Sequence, residues 1–328
     1  MTVQYRFGLD SEGATVDVRD LRRLSKCPIG PFECIGCGHP LIPHLGERKA
    51  KHFQHLEAQE CSRETQLHAL AKRVFADTYR TCLANRTSFN LIIPAVGRCN
   101  HFFEVTGLVC EKPATTTFDL TQIFDTVSVE TGIGGFVADI LLSQSSGKAT
   151  MLVEMAVAHA CTPEKIASGL RIAECHLSVE DDVQMFSSRS MDATKSNVTL
   201  HNCRRQVVNA DRCGGKCGEL VDEFRVYSSG KSILMPGRPI AAIEANPKQS
   251  SIVWRRFKFG GVDVPQVHRS RYRDFLYYAV ADGAPVKNCY LCKHARDGDF
   301  SAIWCLQHRE TQQANDAVSC EDYRPNRR

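Results

Sequence analysis

The chain has 328 residues, 43% of them hydrophobic and 24% charged, with a formal net charge of +4. That length allows a buried core and two or three modules, and the composition excludes a disordered chain. No run approaches the roughly 20 apolar residues of a membrane helix, and Met1 to Asp10 lacks the apolar stretch of a signal peptide.

The expectation is therefore a soluble, cytoplasmic protein with no membrane contact. In a reducing compartment its sixteen cysteines read as metal ligands or redox groups before they read as disulfides. The mild positive charge permits an acidic partner such as nucleic acid without arguing for one.

Residues 3–19 read as a hairpin: Val3, Tyr5 and Phe7 alternate, Asp10-Ser-Glu-Gly13 supplies the turn, and Val16 and Val18 resume the alternation. Residues 27–61, rich in Cys, His, Gly and Pro, suit a small metal-organised lobe. From Arg63 to about Leu83 a helix is expected, with Leu67, Leu70, Ala71, Val74 and Phe75 at helical spacing. Strands follow at Phe89–Ile93, Thr117–Phe124, Val127–Thr131, Phe136–Leu142 and Met151–Val157. Thr162 caps a helix begun by Pro163 and running to about Arg171, before a short strand at Ile172–Leu177. Ser187 to Ser196 reads as a linker. The expected modules are 1–62, 63–186, 197–287 and 288–328.

Three clusters carry metal-ligand spacing. The first is Cys34-x2-Cys37, then His52-x2-His55, then Cys61. Two thiolates on a tight turn hold one side of a tetrahedral zinc ion and a hairpin returns the rest. Cys34, Cys37 and Cys61 are the expected ligands, with His52 or His55 as the fourth. The middle cluster joins His201 and Cys203 to Cys213 and Cys217, with zinc and buried thiols equally open. The last is Cys289-x2-Cys292 with Cys305 and Cys320, in a tail too small to fold without a staple. Zinc is its first reading and an iron–sulfur cluster its second.

The first 80 residues combine a hairpin, Cys34-x2-Cys37, Lys51-His-Phe-Gln-His55, Cys61 and Glu64-x3-His68-x3-Lys72. This order resembles the N-terminal region of the competence protein CoiA-like family. The likeness continues at Phe136-Val-Ala-Asp139, at Leu152-Val-Glu-Met-Ala-Val-Ala-His159 and at Pro163-Glu-Lys165-Ile166, and covers roughly residues 3–180. It implies an α+β fold: a restriction-endonuclease-like PD-(D/E)xK core between an N-terminal zinc-binding lobe and a C-terminal cysteine-rich metal module. In such a core Asp139 and Glu154 hold Mg²⁺, which polarises a phosphate and acidifies a water. Glu130 and Glu64 are further candidate oxygen ligands. The chain departs from the family at Ala156, where the superfamily has its lysine, and Lys165 and Lys72 are the nearest substitutes.

Residues 254–273 interleave rings and arginines, from Trp254-Arg-Arg-Phe-Lys-Phe259 to Arg269, Arg271, Tyr272 and Arg273. Bases could stack on such rings while the guanidiniums meet phosphates, or the rings could be core and the charges a solvated face. The resemblance points to a Mg²⁺-dependent deoxyribonuclease acting in DNA uptake, repair or defence against foreign DNA. The rivals are a zinc-containing DNA- or RNA-binding protein that has lost the chemistry and, from the cysteine count alone, an iron–sulfur or thiol redox protein.

Overall fold

A computed structural model describes residues 5–22, 30–46, 50–57, 61–147, 149–209, 213–243, 251–260, 265–297 and 302–326. Among these the architecture is mixed α+β. The chain divides into two compact units, Met1–Val96 with Pro113–Val207, and Gly97–Lys112 with Val208–Arg328. Val3 of the expected hairpin lies outside the described residues.

In the first unit β1 (Phe7–Leu9) and β2 (Thr15–Asp17) pair antiparallel, with Phe7 opposite Asp17. The Asp10 carboxylate closes their turn by accepting the Glu12 and Ala14 N–H groups, and Gly13 takes a φ of +76° that a Cβ would oppose. With β3 (Phe32–Glu33), β4 (Pro40–His44) and β5 (His52–His55) they form a five-stranded sheet in the order β2-β1-β3-β4-β5. Its own small core holds Tyr5, Val18, Phe32, Leu41 and Phe53.

Helix α1 (Arg63–Asn85) starts where the Ser62 hydroxyl accepts the Thr65 N–H and ends at Arg86, in the left-handed region. Leu67, Leu70, Ala71, Phe75 and Tyr79 are buried along one stripe and enter the largest core of the unit. After β6 (Asn90–Cys99), α2 (Phe103–Thr106) and β7 (Cys110–Asp119) come β8 (Thr126–Ile133), β9 (Phe136–Ser143) and β10 (Thr150–Ala156). The chain continues through α3 (Pro163–Ala167), β11 (Ile172–His176), α4 (Gln184–Ser187), β12 (Ser190–Asp192), β13 (Val198–His201) and β14 (Gln206–Asn209). A second five-stranded sheet runs β13-β11-β10-β9-β8. All its pairs are antiparallel except β10 with β11, which are parallel and joined by the crossover that carries α3.

Two sequence expectations give way here. Thr162 does cap α3, but the helix stops at Ala167, well before Arg171. The Ser168 hydroxyl takes the Lys165 carbonyl, and Gly169 turns the chain at φ +78°. The stretch expected as a linker contains β12, which pairs in parallel with β6 and buries Met191 completely. A three-residue strand is too short for its alternation to show in sequence.

The second unit is built on β15 (Leu220–Tyr227), β16 (Ser232–Pro239) and β17 (Ile252–Phe259), in the order β16-β15-β17. On them packs α5 (Pro265–Ala281), whose Tyr272, Phe275, Leu276 and Ala279 meet Phe224, Val226 and Leu234. A small sheet of β18 (Ala295–Asp297), β19 (Ile303–Cys305) and β20 (Glu310–Gln312) ends the chain. Pairing of β15 with β16 shifts register between Val221 and Glu223. Four consecutive residues, Val221 to Phe224, are thereby buried, two of them acidic. The expected module boundary at 287–288 runs through a buried network, because Asn288 donates to both the Ser232 hydroxyl and the Tyr272 hydroxyl. No helix among the described residues is long and apolar enough to cross a membrane.

Candidate functional site: a carboxylate row and a Cys3His centre

The second sheet aligns acids. Glu154 on β10 stands directly beside Glu174 on β11 in the parallel register, so the two side chains leave the sheet on the same face. Asp139 lies one residue past the last β9–β10 pair, Ile140 with Val153. Glu130 sits on β8 between the Val129–Ile140 and Thr131–Ala138 pairs, at a φ of +50° that marks a local bulge. Adjacent strands are about 4.8 Å apart, so four carboxylates on four neighbouring strands repel each other unless cations intervene.

Four cationic or ionisable side chains meet this row. On α1, His68 Nε2 is 3.0 Å from Asp139 Oδ2, and Lys72, one turn later, pairs with Glu130 and lies 3.9 Å from Asp139 Oδ1. From α3, Lys165 Nζ stands 2.8 Å from Glu154 Oε2 and donates to the Val137 carbonyl. His201 Nε2 is 2.9 Å from Glu174 Oε2. Asp139 Oδ2 also accepts the Met155 N–H. Each central acid thus has one oxygen held, while Glu154 Oε1 is buried with no hydrogen-bond partner. The two environments diverge. Burial pulls the Asp139 carboxyl up, but His68, the Met155 N–H and Lys72 outweigh it and the net direction is down. At Glu154 burial prevails over Lys165 and the carboxyl is raised.

Of the expected residues, the structure brings Glu130, Asp139, Glu154 and Lys165 into this network. Glu64 is exposed in the first turn of α1, where its charge suits the helix N-terminus. His68 and Lys72, at four-residue spacing after it, are the helix residues that reach the acids. Glu174 was not singled out in sequence, because a lone acid in a short strand carries no motif.

The N-terminal lobe gathers Cys34, Cys37, His55 and Cys61, whose ligand atoms all lie within 4.8 Å of one another. Cys34 Sγ is 3.8 Å from Cys61 Sγ, and Cys37 Sγ is 3.2 Å from His55 Nε2. Strand alternation selects the histidine: His55 and Phe53 are buried, whereas His52 stacks on His44 with ring centroids 4.8 Å apart. Burial and the neighbouring thiols push Cys34 up to about 12. Cys37 is also pushed up by burial, but the His39 N–H and the side chains of His39, Cys34 and His55 bring it down to about 6. A half-buried pocket that favours a thiolate beside two thiols and an imidazole suits a soft divalent cation. This Cys3His cluster could hold a metal ion such as zinc.

Of the other two cysteine groups, the middle one rearranges and the C-terminal one stays together. Cys203 packs against the first unit's core, and burial raises its thiol, while His201 is taken by Glu174. Cys213 and Cys217 belong to the second unit and meet Cys99 and Cys110 there. At the C-terminus Cys289, Cys292, Cys305 and Cys320 line one cavity together with His308. The His308 Nε2 is 3.5 Å from Cys320 Sγ. The spacing Cys305-x2-His308 was the overlooked signal.

Three arginines of residues 254–273 face acids of their own unit, and Arg269 and Arg273 lie against the Tyr290 ring. Arg255 bonds buried Glu223, Arg271 bonds buried Asp222, and Arg256 lies over the Tyr278 ring, 3.6 Å from Asp282. Comparison with protein-family models, with curated proteins and with solved structures finds no match for this chain.

Proposed function

We propose that the first unit is a metal-dependent nuclease related to the CoiA-like proteins, acting on DNA in uptake, repair or defence. The observation that carries this reading is the division of labour at the central acids. Asp139 Oδ2 is fixed by His68 and the Met155 N–H, and Glu154 Oε2 is fixed by Lys165. The buried Glu154 Oε1 is left without a partner beside them. Carboxylates oriented in this way, each with an oxygen to offer, fit a divalent cation such as Mg²⁺. Bound there, Mg²⁺ would polarise a phosphodiester and lower the pKa of a water. Lys165 approaches Glu154 from α3 and stands in for the lysine replaced by Ala156, where its ammonium can oppose charge that develops on a phosphate. His68 holds Asp139 in orientation. The Cys3His lobe, with zinc bound, would brace the sheet of β1–β5 that precedes α1.

The test is cleavage of single- and double-stranded DNA with Mg²⁺ and with EDTA. Asp139→Ala and Glu154→Ala should each lower Mg²⁺-dependent cleavage by about 10³-fold, several kcal/mol of barrier. DNA affinity should survive. Lys165→Ala should lower turnover and leave Mg²⁺ binding in place. A wild-type protein that cuts no DNA or RNA with Mg²⁺ or Mn²⁺ would overturn the proposal. The second reading, a structural ion-pair network in a binding protein, is favoured by the fact that every acid in the row already has a basic partner. It expects Mg²⁺ to leave the melting temperature of the wild-type protein unchanged, whereas a ligand pair would gain stability on binding the ion.

A further inference from the structure

Cys99 ends β6, Cys110 begins β7, and Cys213 and Cys217 flank a Gly-Gly-Lys turn more than a hundred residues later. All four belong to the second unit, where they share one small core with Val221, Ile240 and Phe257. Cys99 Sγ is 4.0 Å from Cys213 Sγ, and Cys110 and Cys217 interact through their thiols. Four thiolates around one zinc ion at about 2.3 Å stand roughly 3.8 Å from one another, while a disulfide needs about 2.05 Å. The Cys99–Cys213 separation is therefore that of two ligands and not of a bond.

The backbone around these sulfurs is arranged for thiolates. Gly214 and Gly215 take φ values of +57° and +81°, and the Lys216 N–H closes the turn on the Cys213 carbonyl. In this turn the Gly215 N–H faces Cys213 Sγ, and the N–H groups of Cys213 and His101 face Cys99 Sγ. N–H groups aimed at sulfur favour the charged ligand form.

We infer that Cys99, Cys110, Cys213 and Cys217 form a second, all-thiolate zinc site, which pins the excursion between β6 and β7 to the start of the second unit. It replaces the sequence grouping of Cys213 and Cys217 with Cys203. Zinc is preferred to an iron–sulfur cluster because the Cys99–Cys213 separation is the one that two thiolates on a single ion take.

The experiment uses the full chain, purified under reducing conditions, with metal content measured by mass spectrometry. Cys99→Ser and Cys213→Ser should each lose one zinc equivalent per chain, while Cys203→Ser should keep the wild-type content. Should the serine variants prove insoluble, alkylation of the wild-type protein gives the answer. Cys99 and Cys213 are only partly buried, so burial alone would not shield them from N-ethylmaleimide. Peptide mapping should show all four protected together with zinc and modified together once a chelator removes it. Zinc lost from Cys203→Ser but kept by Cys99→Ser would overturn the site. So would a Cys99–Cys213 disulfide in the reduced preparation, ready alkylation of Cys99 in the zinc-loaded protein, or an iron–sulfur absorption that disappears on Cys99→Ser.

Discussion

Replacing Cys34 with serine is expected to remove one metal equivalent and to unfold the sheet of β1–β5. That lobe has a core of only a few buried side chains, and small metal lobes draw much of their folding free energy from ligation, about 10–16 kcal/mol for zinc in isolated finger peptides. The Cys34 thiol also contacts Cys61 and the Gln66 side chain, and Tyr5 donates to the Cys61 carbonyl, so its loss disturbs both ends of the lobe. Metal analysis beside limited proteolysis checks this: cleavage should concentrate before Arg63. His52→Ala is the control, and it should keep its metal because His52 stacks on His44 outside the cluster. A Cys34→Ser protein with full metal content and undiminished protease resistance would remove the assignment.

Glu223→Ala should be the most destabilising single change in the second unit. The Glu223 side chain is fully buried and accepts from Arg225, Arg238 and Arg255. Deleting it strands these guanidiniums around a site built for an anion, and breaking a buried pair in this way costs about 3–5 kcal/mol. Urea unfolding followed by the fluorescence of Trp254 reads the effect. The same carboxylate gives a pH dependence. Burial pulls its pKa up, yet Arg225 and Arg255 outweigh burial and the folded value lies below the unfolded one. Its contribution is therefore complete above the unfolded value, about 4.3, and drains away as the pH falls through the lower, folded value. Wild-type stability should drop across that acid window more steeply than Glu223→Gln stability. Equal pH profiles would contradict the burial of a charged Glu223. The same geometry makes Arg255 and Arg271 poor choices for testing nucleic-acid binding, since neutralising either disturbs a buried carboxylate.

The first half of the chain was largely legible because its signals are local. Asp10 and Gly13 mark the hairpin turn, and Leu67 to Phe75 mark α1. Thr162 and Pro163 mark the start of α3. The choice between His52 and His55 was not legible until β5 fixed which residues share a face. Long-range partners were also hidden. Nothing in the sequence near Cys213 points to Cys99 or Cys110, whereas Cys203 lies close by and misleads. His308 and Glu174 were missed for opposite reasons: the first sits in a readable Cys-x2-His spacing, the second has no neighbour in sequence that declares it. The arginine-rich stretch was readable as charge, but its acidic partners are buried by a register shift in β15 that composition does not reveal.

The split of the second unit between residues 97–112 and 208–328 has a consequence for how the molecule is made. On the ribosome, Cys99 and Cys110 emerge about a hundred residues before their partners, and the intervening chain belongs to the other unit. At about 5–20 residues per second the early pair waits several seconds or more with its thiols unsatisfied. During that interval the first unit can complete its own cores, so the rest of the second unit must find residues 97–112 already made. Any polypeptide cut short near residue 207 would carry that exposed pair permanently, a ready target for oxidation and for quality-control proteases.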